Sequence, residues 1–341
     1  MFYHITNHTK CRKVLPMKFH PHWWCKNGPS QTIASMYFPR IKKSFISSDH
    51  VISLSEGDQT VVHESNPNMT NDIFIFVHGL TGSAESRCVS RLAAYFLDMG
   101  YGVVRVNLRG CGVGRHLSKE ICHAGRSDDL LEMVKYFSKR YPNSRIHCMG
   151  FSMGANLLLK MACGKSNPYL DRLRSIVAIS PPIDLKECVT YLGGKSSRWL
   201  DYYFVKTLIK LSTNHHKPYK LPPEKIKSLY DFDNLITAKA AGFRDADEYY
   251  KFSSSAEDLH KLVCPALIVT AQDDPCVNFS IFNEVDSHPM VSFIGTKNGG
   301  HGAFLGHTGN KKELWLEKVI HLWLESSGLL RTTQVTNHFI G

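Results

Sequence analysis

From about residue 72 onwards, short apolar runs alternate with longer amphipathic stretches. The first run, IFIFV at 73–77, contains no polar residue, which is typical of a strand buried on both faces. Five later segments, rich in apolar residues but not free of polar ones, also predict strands: 102–108, 145–149, 175–180, 266–271 and 291–295. Amphipathic stretches predict helices at 84–99, at 128–140, from 153 and at 311–328. This alternation predicts an α/β fold, a mostly parallel sheet with helices on both faces.

Two segments depart from the alternation. Residues 41–65 alternate in polarity and turn at Gly57–Asp58, which predicts an antiparallel hairpin. Between SPPIDL and VCPALIVTA lie about eighty residues of helical and polar character. An insertion at this point, about 186–262, predicts a helical cap over the carboxyl edge of the sheet. We therefore expect one domain over 41–341 that includes the cap, preceded by an extension over 1–40.

The N-terminal segment differs in composition from the rest of the chain. Eight basic residues and no acidic residue precede Asp49, so much of the net charge of +11 belongs there. Four prolines predict an irregular backbone, and aromatic residues include the pair Trp23–Trp24. A basic, aromatic arm could contact an anionic membrane surface at its periphery, or its Trp pair could pack on the domain. Because no nucleic-acid motif accompanies the charge, we expect no nucleic-acid partner.

Composition otherwise predicts an ordinary globular protein. The 341 residues are 43% hydrophobic and 21% charged, with no apolar run long enough to cross a bilayer and no signal peptide. The ten cysteines are scattered and form no CxxC pair. That usage favours reduced thiols in the cytoplasm over a disulfide framework or a zinc site.

The stretch GFSMG at 150–154 carries the first candidate for chemistry. It follows a predicted strand and precedes a predicted helix, so Ser152 would lie on a sharp strand-to-helix turn. Glycines two positions before and after the serine relieve the crowding of such a turn. A GxSxG pattern alone is weak, and the alternative is a turn without catalytic function.

A nucleophilic serine needs a base, and the base needs a carboxylate. Asp273 and Asp274 follow the predicted strand 266–271, at a sheet edge where catalytic groups gather. We choose Asp274 because the chain turns away after it at Pro275, and keep Asp273 as the alternative. His301 follows the next strand in a glycine-rich loop that could bring its imidazole to Ser152.

Backbone donors for an oxyanion would come from two loops. Leu80 lies in FVHGLTGSAES, after the first core strand, and Met153 follows the candidate nucleophile. Their N–H groups are the predicted pair of donors. His78 in the same loop is expected to have a structural role.

Other motifs point to no further chemistry. RGCGVGRH lacks the last glycine of a dinucleotide fingerprint, and no phosphate-binding GxxxxGK[ST] occurs. We expect neither a metal nor an organic cofactor, because EICH and HGAFLGH lack convincing ligand spacing. His215–His216 is interpreted as a solvated face, and Cys148 and Cys276 as packing residues.

Taken together, the motifs resemble those of the YheT-like α/β-hydrolases, often called α/β-hydrolase family 4. They are spread over nearly the whole chain: NGPSQT, HGLTGS, NLRGCGVG, HAGRSDDL, GFSMGANLL, YDFDNLITAKAAGFRDADEYY, DDP and GGHGAF. The block from Asp233 to Tyr250 is more specific than GxSxG, because general hydrolases lack it. Membrane-anchored relatives carry an N-terminal spanning helix, which this sequence lacks.

The resemblance implies a serine esterase or lipase that cleaves carboxylic esters, with Ser152, Asp274 and His301 as its triad. The expected substrate is a small-molecule or lipid ester, since some relatives act on acylglycerols or phospholipids. Other relatives transfer acyl groups to alcohols, so acyl transfer is one alternative. A non-catalytic binding protein on the same fold is the other.

Overall fold

The computed structural model describes residues 17–38, 45–66, 71–164, 167–213, 223–285 and 288–330. Several features named above lie outside these ranges: His215–His216 and the basic residues Lys10, Arg12, Lys13, Arg40, Lys42 and Lys43. In the ranges described, no helix is both long and apolar enough to span a bilayer.

An eight-stranded sheet forms the centre of the molecule. Its strands, in chain order, are β1 Ser48–Ser53, β2 Gln59–Ser65, β3 Asp72–Val77, β4 Gly102–Val106, β5 Arg145–Phe151, β6 Leu173–Ile179, β7 Ala266–Ala271 and β8 Val291–Thr296. Their spatial order is β1-β2-β4-β3-β5-β6-β7-β8. Strand β2 is antiparallel to both neighbours, and all the other pairs are parallel. The hairpin and the mostly parallel sheet are therefore confirmed.

Both faces of the sheet are buried under helices. In β3, Ile73, Ile75 and Val77 belong to one apolar cluster, whereas Phe74 and Phe76 belong to another on the opposite face. This division follows from the two-residue repeat of a strand, and it explains why the run contains no polar side chain. Four helices cover the sheet: α2 Arg87–Asp98, α3 Ser127–Arg140, α4 Met153–Ala162 and α10 Trp315–Ser326.

The segment between β6 and β7 is helical. It contains α5 Leu185–Leu192, α6 Arg198–Thr213, α7 Leu229–Phe232, a π-helix over Asp233–Thr237, α8 Ala238–Ala240 and α9 Ala246–Ser253. Its buried residues, including Leu200, Phe232 and Tyr250, join the cluster on the α3 and α4 side of the sheet. The segment thus shares the hydrophobic core of the sheet.

Residues 17–38 contain a helix, although the four prolines of the N-terminal segment predict an irregular backbone. Helix α1 spans Gly28–Tyr37 and has Pro29 in its first turn, where a missing N–H is tolerated. The Asn27 side chain caps it by accepting from the Ser30 N–H. Of the aromatic pair, Trp23 is 81% exposed, whereas the Trp24 ring lies 5.5 Å from that of Phe38.

Candidate active site

Ser152 lies on a tight turn between β5 and α4. Its backbone has φ 51° and ψ −125°, a strained region for a residue with a Cβ. Both flanking glycines are required by close packing. A Cβ on Gly150 would lie 2.7 Å from the Ala155 nitrogen, and one on Gly154 would lie 2.3 Å from the His78 carbonyl oxygen. The GxSxG spacing thus follows from the turn that presents Ser152 at the carboxyl edge of the sheet.

Asp274, after β7, is hydrogen-bonded to His301, after β8. The His301 Nδ1 atom lies 2.9 Å from Oδ2 and 3.1 Å from Oδ1 of the carboxylate. Since an ionised carboxylate only accepts, Nδ1 carries the proton and Nε2 is the nitrogen left to accept one. Asp274 is buried, and its Oδ1 also accepts the N–H groups of Cys276 and Val277 at 2.7 and 3.0 Å. The carboxylate is therefore fixed in place.

The neighbouring Asp273 holds the loop that carries His301. Its Oδ1 accepts the Gly300 N–H and its Oδ2 accepts from the Asn298 side chain, both at 3.0 Å. Of the two carboxylates that the sequence offers, the structure places Asp274 against the imidazole and Asp273 against the loop backbone.

Thr32 of helix α1 is a contact that the sequence did not reveal. The His301 N–H donates to Thr32 Oγ1 at 2.9 Å, and that hydroxyl donates to the Gly28 carbonyl at 2.8 Å. The two residues are 269 positions apart, so no local pattern links them. The NGPSQT motif, which contains both Gly28 and Thr32, was the available signal.

Cys276 also contacts the imidazole. One potential ligand atom from each of Asp274, Cys276 and His301 lies within 4.8 Å of the others, a set that could hold a metal ion. Burial tends to lower the pKa of His301, but Asp274 and then Cys276 outweigh it and raise that pKa well above its usual value. Burial raises the pKa of the Cys276 thiol, and His301 opposes that rise. The interpretation of Cys276 as packing alone omitted this partner.

Leu80 and Met153 flank Ser152. Among the described residues, neither backbone N–H has an acceptor within the chain. The loop with Leu80 approaches closely, since a Cβ on Gly79 would lie 3.0 Å from that of Ser152. His78 supports the loop: its Nδ1 donates to the Gly79 carbonyl at 2.7 Å, and its Nε2 accepts the Leu108 N–H at 3.1 Å.

Two cavities meet at these residues, and Leu80, Ser152, Cys276 and His301 line both. The smaller, about 730 Å³, extends under the helices between β6 and β7, and its walls are mostly apolar. The larger, about 1100 Å³, has more polar walls, among them Thr32, Glu85, Ser86 and Arg87. Both volumes include open solvent. The arrangement offers a mostly apolar cavity and a more polar one that share the Ser152 hydroxyl group.

Comparison with known proteins places this geometry in a family. Residues 72–308 match the family model described as alpha/beta hydrolase fold. The curated "Putative esterase YheT" of Escherichia coli is 27% identical over 73% of this chain and 75% of its own length. The monoacylglycerol lipase of Saccharomyces cerevisiae is 26% identical over 72% of this chain and 59% of its own length.

A solved structure supports the fold. The esterase Pf2001 of Pyrococcus furiosus superposes with a TM-score of 0.58 over 84% of this chain and 98% of its own, at 19% identity. The expected α/β-hydrolase architecture and the resemblance to YheT-like proteins are both confirmed.

Proposed function

Because the chain belongs to the alpha/beta hydrolase fold family and resembles its esterases and lipases, we propose that it is a serine esterase acting on carboxylic esters. Ser152 is the nucleophile, His301 the general base and Asp274 the orienting carboxylate. The observation that carries the proposal is the Asp274–His301 hydrogen bond beside a serine held at positive φ, with both the serine and the histidine lining the same cavities.

The reaction proceeds in two halves. His301 Nε2 takes the hydroxyl proton as Ser152 Oγ attacks the carbonyl carbon, and Asp274 stabilises the imidazolium. The N–H groups of Leu80 and Met153 donate to the oxyanion of the tetrahedral intermediate. The bond to the leaving oxygen breaks, His301 protonates that oxygen, and the acyl group remains on Ser152. Water then attacks the acyl-enzyme with His301 as base, which releases the acid and restores the serine.

The two cavities divide the substrate between them. The smaller, mostly apolar cavity suits the acyl chain, because burying hydrocarbon there removes it from water. The larger cavity with Glu85 and Arg87 suits the alcohol portion, which is polar in glycerol-based esters. Relatives named monoacylglycerol lipase and phospholipase ABHD3 support a lipid ester as substrate.

Labelling with a fluorophosphonate probe tests the nucleophile. We expect the wild-type chain to be labelled and to hydrolyse p-nitrophenyl esters, and Ser152→Ala to lose both while remaining folded. Ser280→Ala, at an exposed serine, is the matched control and should keep the label. Labelling that survives in Ser152→Ala would refute the assignment of the nucleophile.

Acyl transfer to an alcohol is a second candidate. The larger cavity could admit an alcohol in place of water, and one relative is named medium-chain fatty acid ethyl ester synthase/esterase 2. Adding ethanol to the ester assay separates the two reactions. Ethyl ester formed in preference to free acid would favour the transferase, whereas free acid alone would favour the esterase.

A cytoplasmic location with peripheral membrane contact completes the proposal. The nine cysteines in the described ranges are free, which suits a reducing compartment. The basic N-terminal segment and the exposed Trp23 are features that anionic membrane surfaces attract. Co-sedimentation with vesicles of phosphatidylserine, compared with neutral vesicles, tests the contact. Binding to the phosphatidylserine vesicles that is absent, or no stronger than binding to the neutral ones, would contradict it.

A further inference from the structure

Apart from Ser152 and His301, the smaller cavity has one polar region in its mostly apolar wall. His123, Asp233, Thr237, Tyr249 and Tyr250 line it, and we call them the polar patch. The His123 ring lies 5.8 Å from that of Tyr249, and the Tyr250 hydroxyl donates to Asp233 at 2.8 Å. A cavity for plain hydrocarbon needs no such groups, because burying polar atoms costs free energy unless they are paired.

One member of the polar patch lacks a partner. The Gly125 N–H lies 3.1 Å from His123 Nδ1, so that nitrogen accepts and carries no proton. Burial lowers the pKa of His123 to about 3, so the ring is neutral at physiological pH. Its single proton is therefore on Nε2. Among the residues described, this buried Nε2–H has no hydrogen-bond acceptor.

The other polar groups nearby are paired with each other. Each carboxylate oxygen of Asp233 accepts a hydrogen bond from a hydroxyl group, one from Thr237 at 2.7 Å and one from Tyr250 at 2.8 Å. The Tyr249 hydroxyl accepts the Ala124 N–H at 2.9 Å. Its own proton has no acceptor among the described residues, so the His123 Nε2–H and the Tyr249 O–H are both donors in the cavity wall that a bound molecule can satisfy.

We propose that His123 is a specificity-determining residue, and that the cavity takes esters whose acyl chain bears an oxygen acceptor. A hydroxyl, keto or ether oxygen part-way along the chain would accept the Nε2–H, while the apolar wall holds the surrounding methylene groups. This proposal rests on the proposed esterase function for the identity of the scissile group. It concerns binding in the cavity, which can be measured without turnover.

Binding to the Ser152→Ala chain provides the test. The probes are methyl octanoate and analogues in which an ether oxygen replaces one methylene at successive positions. Two substitutions of His123 separate its nitrogens: His123→Asn keeps an acceptor near Nδ1 for the Gly125 N–H, and His123→Gln keeps a donor near Nε2. Circular dichroism and urea unfolding confirm that each variant is folded.

The quantity compared is the ratio of Kd for methyl octanoate to Kd for each ether analogue. A net hydrogen bond stabilises by about 0.5–1.5 kcal/mol, so we expect this ratio to be about three- to tenfold higher with His123 than with His123→Asn, at one or two chain positions. His123→Gln should restore part of the preference. The comparison with His123→Asn cancels the general effect of making the chain more polar.

Two results would overturn the inference. Equal ratios at every position would mean that a water molecule satisfies His123, and no binding of any ester would mean that the cavity is not an acyl site. Fluorophosphonate labelling of Ser152 judges the esterase proposal separately, so a failure of either can be told from a failure of both.

Discussion

Replacing Asp233 by Asn should stabilise the protein more at neutral pH than at acidic pH. Asp233 is buried, and burial, opposed by hydrogen bonds from Thr237 and Tyr250, raises its pKa from 3.8 to about 6. A folded-state pKa above the unfolded value means that the contribution is fully present below pH 3.8 and is lost as pH rises through 6. Ionised Asp233 then costs the folded state about 3 kcal/mol relative to its protonated form.

Asparagine has the shape of the protonated acid and cannot ionise. We therefore expect the free energy of unfolding of Asp233→Asn to exceed that of the wild type by about 1 kcal/mol at pH 4.5 and by about 3 kcal/mol at pH 7.5. Urea unfolding at four pH values between these limits measures the difference. A difference that stays constant across the range would refute the reasoning.

Asp258→Asn is a control of opposite sign. Burial opposes the shift, but the ammonium groups of Lys160 and Lys261 lower the pKa of Asp258. Its contribution is present above pH 3.8 and is lost as pH falls through the lowered pKa. Asp258→Asn should therefore be less stable than the wild type by a similar amount at every pH from 4.5 to 7.5.

The remaining predictions concern His301 and the tight turn at Ser152. Asp274→Asn should lower kcat about 10³- to 10⁴-fold. Because Asp274 raises the pKa of His301, the acid limb of the wild-type pH profile of kcat/KM is expected above pH 6.5, and the substitution should move that limb to lower pH. An unmoved limb would contradict this cause. Gly154→Ala should lower kcat/KM at least 100-fold, because the added Cβ would displace the His78 backbone. Gly242→Ala is the control, since Gly242 lies in open space at φ 81°. It should cost about 1–2 kcal/mol of stability and leave kcat/KM unchanged. Equal values of kcat/KM for the two variants would argue against the close packing of Gly154 at the turn that carries Ser152.

Much of the fold could be predicted because its signals are local. A strand buried on both faces must be almost entirely apolar, as 73–77 is and as 266–271 is apart from Thr270. Predicted ends were less accurate where a tertiary contact decides them. Strand β5 runs past 149 to Phe151 because Gly150 and Phe151 pair with β6. The last helix begins at Trp315, because the residue before it forms a bridge with His307.

The site was predictable only in part, for the same reason. Candidates at the carboxyl ends of β5, β7 and β8 could be named because parallel strands bring those ends to one edge. Which carboxylate faces His301 depends on the turn at 275, and the choice of Asp274 over Asp273 used that turn. His123 could not be recognised, because its missing partner becomes visible only once the cavity around it is known.

The loop that carries His301 shows why distant residues matter to this site. Three of its glycines, Gly299, Gly300 and Gly302, have positive φ, so the loop can make the turn but has little conformational preference of its own. Its position is fixed by hydrogen bonds that its N–H groups donate to three other segments: Asp273 after β7, Ser180 after β6, and Thr32 in helix α1. The approach is close enough that a Cβ on Gly300 would lie 2.6 Å from the Gly28 carbonyl oxygen, and one on Gly28 would lie 1.6 Å from that of Asp273. Gly300 of GGHGAF is therefore needed for the close approach of NGPSQT, and Gly28 for the close approach of Asp273. The N-terminal helix, far from the strands in sequence, helps to hold the imidazole where a base must be.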